Sequence, residues 1–259
     1  MYAFKAFARR HRKLLSALGT AAAAALMLWV VNSPAVVGVS AADRELPVYC
    51  VERADKVIAL SFDAAWGNED TERLIEILDE YGVKTTFFVV GDWAERYPES
   101  VRALSEAGHE VMSHSSHHSH FSAMSSDEIA SDLSACSDRI AGLTGSAPTL
   151  FRCPYGEYDD HVIRAVKDAG MTAVQWSVDS LDWKGLSADD ICRRVLKNAS
   201  SGDIVLFHNA AEHTPEALPR ILEALQADGY TIVPVSQLLL SGDTYIDSAG
   251  KQHARQNVE

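Results

Sequence analysis

The sequence predicts an α/β fold, a distorted or incomplete (β/α) barrel with a mostly parallel sheet. Short apolar, β-rich runs alternate along the chain with amphipathic segments of helical period, and polar clusters follow the ends of those runs. The predicted strands are residues 57–62, 85–90, 110–113, 150–152, 173–177, 204–207 and 231–235.

The segments between the strands have the apolar spacing of surface helices. In residues 71–81, for example, Leu74, Ile77 and Leu78 fall on one face. Several of these segments end at a glycine, the residue that most often follows a helix. The predicted helices include residues 71–81, 126–143, 159–169 and 215–227.

The chain divides into four predicted regions. Residues 1–42 form a targeting segment, 43–56 a linker, 57–240 the α/β domain, and 241–259 a polar, loosely ordered tail. The first region has five basic residues before position 14, and no further charge until Asp43. It is either a cleaved signal peptide, with a cleavage site before Ala42, or an uncleaved membrane anchor. Either alternative predicts an exported protein, attached to the membrane if the segment is uncleaved.

The charge and the cysteines narrow the class of protein. The formal net charge is −13, and the chain has four cysteines without a Cys-x-x-Cys pair. An acidic body excludes nucleic acid as a partner, because phosphate contacts require clustered Lys and Arg, and it is compatible with a neutral glycan. A thiolate zinc site is excluded, whereas a disulfide or free buried thiols both remain open.

The polar clusters follow successive predicted strands. In parallel α/β barrels the carboxyl ends of the strands converge on the active site, so these clusters are predicted to meet there. In strand order they are Asp63, residues 114–120, residues 152–156, residues 179–183 and His208.

Residues 114–120 contain four histidines. His114 and His118 are four positions apart, a spacing that places two imidazoles on one metal, whereas His117 and His120 are weaker candidates. The alternative is a solvated polar loop. Asp63 ends a buried strand and is a candidate base, a metal ligand or a helix cap.

The remaining clusters combine groups that position and transfer protons. Arg152 can hold a carboxylate, and the turn at Tyr155 can direct a backbone N–H at an oxyanion. His208 is a candidate general acid if one of the acids in residues 179–183 orients it. An ordinary turn and a structural histidine are the corresponding alternatives.

Taken in order, the five clusters resemble the NodB-homology polysaccharide deacetylases, carbohydrate esterase family four, over residues 56–240. Any one motif is weak, but five in order are highly specific. The matching segments are Ser61-Phe62-Asp63-Ala64, His114-Ser115-Ser116-His117-His118, Arg152-Cys153-Pro154-Tyr155-Gly156, Asp179-Ser180-Leu181-Asp182-Trp183 and Leu206-Phe207-His208.

The resemblance implies a hydrolase that removes N-acetyl groups from peptidoglycan or a related cell-envelope glycan. It implies a divalent metal, zinc or cobalt, held by His114 and His118, with Asp63 as base and Arg152 as its partner. His208 would protonate the leaving amine, oriented by Asp179 or Asp182. The oxyanion would be held at the Tyr155 N–H, and Trp183 and Leu206 would line the acetyl pocket.

One position departs from the family pattern. Ala64 stands where the family has a second aspartate that binds the metal. Asp70, Glu69 or a third histidine are candidate substitutes. The departure favours a second hypothesis, a weakly active or inactive glycan-binding protein. A third is an O-acetyl xylan esterase. Residues 62–70 also resemble the sporulation-associated subgroup of the family.

Overall fold

The structure is a computed structural model that describes residues 44–255. The predicted signal or anchor, residues 1–42, therefore lies outside the described residues. Between residues 44 and 255, no helix combines the length and the apolar character needed to cross a membrane.

Eleven strands are present in the described part of the chain. They are β1 Cys50–Val51, β2 Val57–Ala64, β3 Thr86–Val89, β4 Glu110–Ser113, β5 Leu150–Phe151, β6 Thr172–Ala173, β7 Val178–Asp179, β8 Ile204–His208, β9 Thr231–Ile232, β10 Thr244–Ile246 and β11 Lys251–Ala254.

The main sheet has eight strands in the order β6-β5-β4-β3-β2-β8-β7, with β9 paired to the start of β2. Its strand pairs are parallel. The sheet is curled into a half-barrel flanked by helices, which confirms the predicted incomplete (β/α) barrel.

Helices follow the strands as predicted, and the four segments proposed from the sequence are all helical within one or two residues of the expected ends. The helices are α1 Thr71–Glu80, α2 Gly91–Arg96, α3 Pro98–Glu106, α4 Ser126–Thr144, α5 Asp160–Asp168, α6 Ala188–Asn198, α7 Thr214–Ala227 and α8 Val235–Leu238.

The two faces of the central strands carry different chemistry. Phe62 of β2 stacks on Phe87 and Phe207 of the neighbouring strands, with ring centroids 4.8 and 5.4 Å apart. These rings belong to the core that packs against the helices. Because side chains alternate along a strand, Asp63 and its neighbour His208 point to the opposite face. Packing on one face thus orients the polar side chains on the other.

The predicted strand 173–177 is wrong in its extent. Of these residues only Ala173 lies in β6, and β7 begins one residue after this range, at Val178. Strands β6 and β7 lie at opposite edges of the main sheet. The backbone of Gln175 leaves the ladder, since its N–H donates to Val48 and its carbonyl accepts from Arg152. The connecting segment therefore crosses from one edge of the half-barrel to the other.

The predicted loose order of the tail, residues 241–259, is also wrong for residues 244–254, which contain two paired strands. Strands β10 and β11 pair antiparallel, and β11 pairs with β1, which lies in the predicted linker. Polar contacts hold this segment in place. The Leu240 N–H donates to Gln252 Oε1, and the Gln252 side-chain amide donates to the Leu240 carbonyl. His253 lies between Glu52 and Asp247. These strands are held by backbone pairing and polar contacts, which produce no hydrophobic pattern, so the sequence did not predict them.

The cysteines are free thiols. Cys136, Cys153 and Cys192 are buried and Cys50 is half-buried, which agrees with the free-thiol alternative.

Candidate active site

Asp63 and Arg152 form a buried ion pair where strands β2 and β5 end. Arg152 Nη1 donates to Asp63 Oδ1 at 2.7 Å, and Nη2 donates to the Ser61 hydroxyl at 2.8 Å and to the Gln175 carbonyl at 3.1 Å. The guanidinium also lies 4.1 Å from the ring centroid of Phe88. Arg152 is fully buried, so these contacts replace the hydration of Nη1 and Nη2, whereas Nε has no hydrogen-bond partner.

The surroundings of Asp63 keep its carboxylate ionised. Burial alone raises the pKa of Asp63, but the positive charge of Arg152, helped by His114 and His208, outweighs burial and lowers the pKa below the ordinary value. An ionised carboxylate at this position can accept a proton from water.

His208, at the end of β8, is held by Asp182. Its Nδ1 lies 2.8 Å from Asp182 Oδ1, and because a carboxylate only accepts, Nδ1 carries the hydrogen. The buried Asp182 carboxylate also accepts hydrogen bonds from the His208 backbone N–H at 2.8 Å, the Trp183 N–H at 2.9 Å and the Thr214 hydroxyl at 2.7 Å. The imidazole orientation is therefore set by a carboxylate that is itself fixed.

The sequence left Asp179 and Asp182 as alternative partners of His208, and the geometry assigns this contact to Asp182. The Asp179 carboxylate instead accepts the N–H of Leu181 at 2.8 Å. It closes the turn after β7, in which Leu181 has a positive φ of 55°. Asp179 acts on His208 only as a distant negative charge.

The charges around His208 favour its protonated form. Burial lowers the pKa of His208, but the hydrogen bond and negative charge of Asp182, with Asp63 and Asp179, outweigh burial and raise the pKa above 6.5. His208 can therefore carry a proton where Asp63 cannot.

His114 and His118 meet as predicted. Their ring centroids are 4.9 Å apart, and His114 Nε2 lies 3.5 Å from Asp63 Oδ2. His114 Nδ1 donates to the Arg152 carbonyl at 2.8 Å, so its Nε2 is the nitrogen available to a ligand. The pKa of His118 falls to about 4 through burial and the repulsion of His114. Both imidazoles are thus neutral near pH 7, as metal ligands must be.

A three-ligand metal site is not completed by the described residues. Ala64 is buried and offers no donor. Among residues 44–255, no group of three or more His, Cys, Asp or Glu side chains is placed to hold a metal ion. Catalytic zinc usually has three protein ligands, so His114 and His118 alone do not fit that requirement.

The proposed substitutes for the missing aspartate do not join His114 and His118 in a ligand cluster among the described residues. Asp70 Oδ1 accepts the backbone N–H of Ala210 at 2.9 Å, and Asp70 Oδ2 is buried without a hydrogen-bond partner. His117 pairs with Asp92 and His120 with Glu157, at 2.9 and 2.6 Å. Glu69 is exposed, and its carboxylate lies beside Gly67. In this geometry none of them is placed as a third ligand beside His114 and His118.

A cleft of about 420 Å³ opens beside His208. Trp183 lines the cleft and is 56% exposed, whereas Leu206 is buried in β8. Tyr155 has a positive φ of 59° in the turn after β5, and its ring packs against His118 at a centroid distance of 4.5 Å. Trp183 and Tyr155 thus present aromatic surface near the polar groups.

Sequence reasoning missed several residues that support the site. Thr214, at the first turn of α7, holds Asp182. Asp132 of α4 accepts the Ser116 N–H at 2.7 Å and thereby fixes the histidine loop. Asn209 is buried beside His208, and Trp66 contacts both His118 and His208. Only Trp66 and Asn209 could have been found from the sequence, because Trp66 lies three residues after Asp63 and Asn209 directly follows His208.

Comparisons with known proteins agree with this architecture. Residues 51–174 match the family model of polysaccharide deacetylases. A peptidoglycan-N-acetylglucosamine deacetylase of Bacillus cereus is 34% identical over 194 residues, which make up 73% of this chain and 91% of the relative.

Solved structures extend the comparison. Peptidoglycan deacetylase PdaC from Bacillus subtilis has a TM-score of 0.66 at 33% identity, covering 73% of this chain and 92% of that chain. A CE4 family pseudoenzyme from Bacillus anthracis has a TM-score of 0.72 at 33% identity, covering 74% and 68%. A mutant of that pseudoenzyme with restored enzymatic activity has the same TM-score at 34% identity, covering 74% and 70%. This chain therefore belongs to the polysaccharide deacetylase family, carbohydrate esterase family four.

Proposed function

We propose that the protein is a hydrolase that removes N-acetyl groups from peptidoglycan or a related N-acetylglucosamine-containing glycan of the cell envelope. The names of its relatives support this substrate class, since they include peptidoglycan-N-acetylglucosamine and N-acetylmuramic acid deacetylases. The basic and apolar N-terminus supports an exported protein, secreted or anchored. Residues 62–70 support a role in sporulation.

One observation carries the proposed chemistry. Asp63 and His208 are paired in register on adjacent parallel strands, so their side chains share one face of the sheet. Their surroundings shift their pKa values in opposite directions, down for Asp63 and up for His208. These shifts favour an ionised Asp63 as the base and a protonated His208 as the acid.

In the proposed reaction Asp63 takes a proton from the water that attacks the acetyl carbonyl. His208 donates the proton from Nε2 to the amine nitrogen as the C–N bond breaks. Arg152 keeps Asp63 ionised and Asp182 keeps His208 oriented. The Tyr155 N–H would stabilise the oxyanion, and Trp183 and Leu206 would bound the acetyl group.

The family's deacetylases generally depend on a metal. We assign no step to a metal here, because the described residues do not supply a three-ligand site. We propose that zinc or cobalt, contacting His114 and His118 alone, binds far more weakly than it would at a three-ligand site.

Acetate release from purified peptidoglycan tests the proposal, with and without added zinc or cobalt. His208→Ala and Asp63→Asn should each lower the rate of release by about a hundredfold or more in proteins that still fold. Acetyl xylan as a parallel substrate distinguishes N-deacetylation from O-deacetylation. Release from acetyl xylan alone would contradict the proposed substrate.

The alternative is a catalytically silent glycan-binding protein, and Ala64 is the observation that favours it. The likeness to a pseudoenzyme of Bacillus anthracis supports the same alternative. Glycan binding without acetate release at any metal concentration would establish it.

A further inference from the structure

Trp66 is an exposed tryptophan whose burial the fold does not require. Its side chain is 58% exposed, whereas Trp93 of α2, which belongs to the hydrophobic core, is 2% exposed. A large apolar ring left in water gains little for folding, and such rings commonly mark a binding surface.

The position of Trp66 relates it to the reaction site. Its ring centroid lies 5.5 Å from that of His118 and 6.3 Å from that of His208. Trp66 also lines the cleft that contains His208, together with the exposed Trp183. The outer surface of the indole is therefore open beside the proposed general acid.

Hydrogen bonds on both sides of Trp66 hold its backbone in place. The Ala65 N–H donates to Asn209 Oδ1 at 3.2 Å, and the Gly67 carbonyl accepts from the indole N–H of Trp93 at 2.8 Å. The Asn209 side chain amide donates to the same carbonyl. The N–H of Asn209 donates to the Asp63 carbonyl at 3.1 Å, which ties this loop to the end of β2. An exposed ring on a fixed backbone loses little conformational entropy when a ligand packs on it.

We propose that Trp66 is a sugar-binding platform, on which a pyranose ring of the N-acetylated glycan packs its apolar C–H face. Polysaccharides bind by such packing because their rings combine one apolar face with polar edges, and clefts that hold them pair aromatic surface with a few polar groups. The platform places the sugar over His118 and His208, so Trp66 acts through substrate position rather than proton transfer. The inference rests on the proposed function, because it takes the same glycan as ligand.

Binding of an N-acetylglucosamine tetramer, measured by calorimetry without added metal, tests the platform. Trp66→Ala should weaken binding roughly tenfold, whereas Trp66→Phe, which keeps an aromatic face, should stay within about threefold of the parent. Tyr245→Ala is the matched control, since Tyr245 is a 43% exposed aromatic on β10 and does not line the cleft. Its affinity should equal that of the parent. Thermal unfolding of each variant verifies that the fold is retained.

The results separate the platform from the proposed activity. Unchanged affinity in Trp66→Ala, equal weakening by Ala and Phe, or no binding by the parent protein would each overturn the platform. Acetate release is measured on the same preparations. A parent that binds the tetramer through Trp66 but releases no acetate supports the platform and contradicts only the hydrolase proposal. Where acetate is released, Trp66→Ala should raise KM and leave kcat within about threefold.

Discussion

The two halves of the candidate site differ in how completely their polar groups are paired. On the Asp63 and His208 side, each ionisable group has a charged partner at 2.7 or 2.8 Å, and those partners are buried. On the His114 and His118 side, two neutral imidazoles face each other without the third ligand that position 64 supplies in the family. The two sides meet at His114, which contacts both Asp63 and the Arg152 carbonyl. The comparison therefore indicates that the acid–base side is complete as it stands, whereas the two imidazoles are the side that a third ligand would change.

The largest effect is expected from His208→Ala. Removing the proposed general acid should lower kcat/KM for acetate release by about 10²–10⁴-fold, the usual contribution of a positioned proton donor. His213→Ala, a neighbouring histidine at the N-cap of α7, is the control and should stay near parental activity. Equal losses in both variants would remove His208 from the chemistry.

Ala64→Asp should have the next largest effect, which is on zinc affinity at the His114 and His118 side of the site. By the family pattern, a carboxylate at position 64 would add a third ligand and a negative charge to His114 and His118, so zinc affinity should rise by more than about a hundredfold. Ala64→Ser, similar in size but uncharged, is the control for packing. Affinity is measured by competition with a chromogenic chelator.

The double variant Ala64→Asp/His118→Ala locates the metal. Affinity should fall back towards that of the parent, because the new carboxylate loses a partner imidazole. Retained tight binding in the double variant would show that the metal is held by other residues.

Arg152→Leu should disturb the Asp63 and His208 side of the site. It leaves the buried Asp63 carboxylate without its partner, which should reduce the free energy of unfolding by about 3–5 kcal/mol. The pKa of Asp63 is lowered in the parent, so its ionisation stabilises the fold above the unfolded-state pKa, and this stability is lost as the pH falls. Without Arg152 that pKa rises, and the acid limb of the activity profile should move up by at least about one pH unit.

Chemical denaturation and a pH–rate profile measure these two effects. Arg152→Lys, which keeps a positive charge, should shift the acid limb of the activity profile less than Arg152→Leu does. An acid limb that stays in place in Arg152→Leu would mean that Asp63 is not the base.

Asp182→Asn should change the alkaline limb of the pH–activity profile and move it to lower pH. The pKa of His208 is raised mainly by Asp182 against the effect of burial, so the protonated acid persists below that raised pKa and is lost as the pH rises through it. Asn lacks the negative charge, so the alkaline limb should move to lower pH by about one unit. Asp179→Asn, which removes a more distant charge, should move it less, and the reverse ranking would contradict the assignment of Asp182.

The smallest effect is expected from Thr214→Val. It removes one of four hydrogen bonds to the Asp182 carboxylate and should cost about 1.5–3 kcal/mol of stability, the usual value for a hydrogen bond to a charged group. Thr144→Val, which removes a hydroxyl bonded to the Ile140 carbonyl in α4, is the control and should cost less. Urea unfolding compares the two variants.

Local patterns predicted most of the barrel. Strand β4 and helix α4 were predicted almost to the residue, because an apolar run or a helical period is set by neighbouring residues. The end of strand β6 at Ala173 and the ordered strands β10 and β11 in the tail were not predicted. Both depend on distant partners, Val48 and Arg152 in one case and Glu52 with Leu240 in the other.

By itself the sequence determined the family and the strand ends at which Asp63, His114, Arg152 and His208 lie, and it predicts a missing ligand at Ala64. Only the tertiary structure decided between Asp179 and Asp182, showed that Asp70 Oδ1 accepts the Ala210 N–H, and placed Trp66 beside His118 and His208. The physical reason is that residue type and spacing specify which groups reach an edge of the sheet. Hydrogen bonds formed across the fold specify which of them touch, and in which direction their pKa values move.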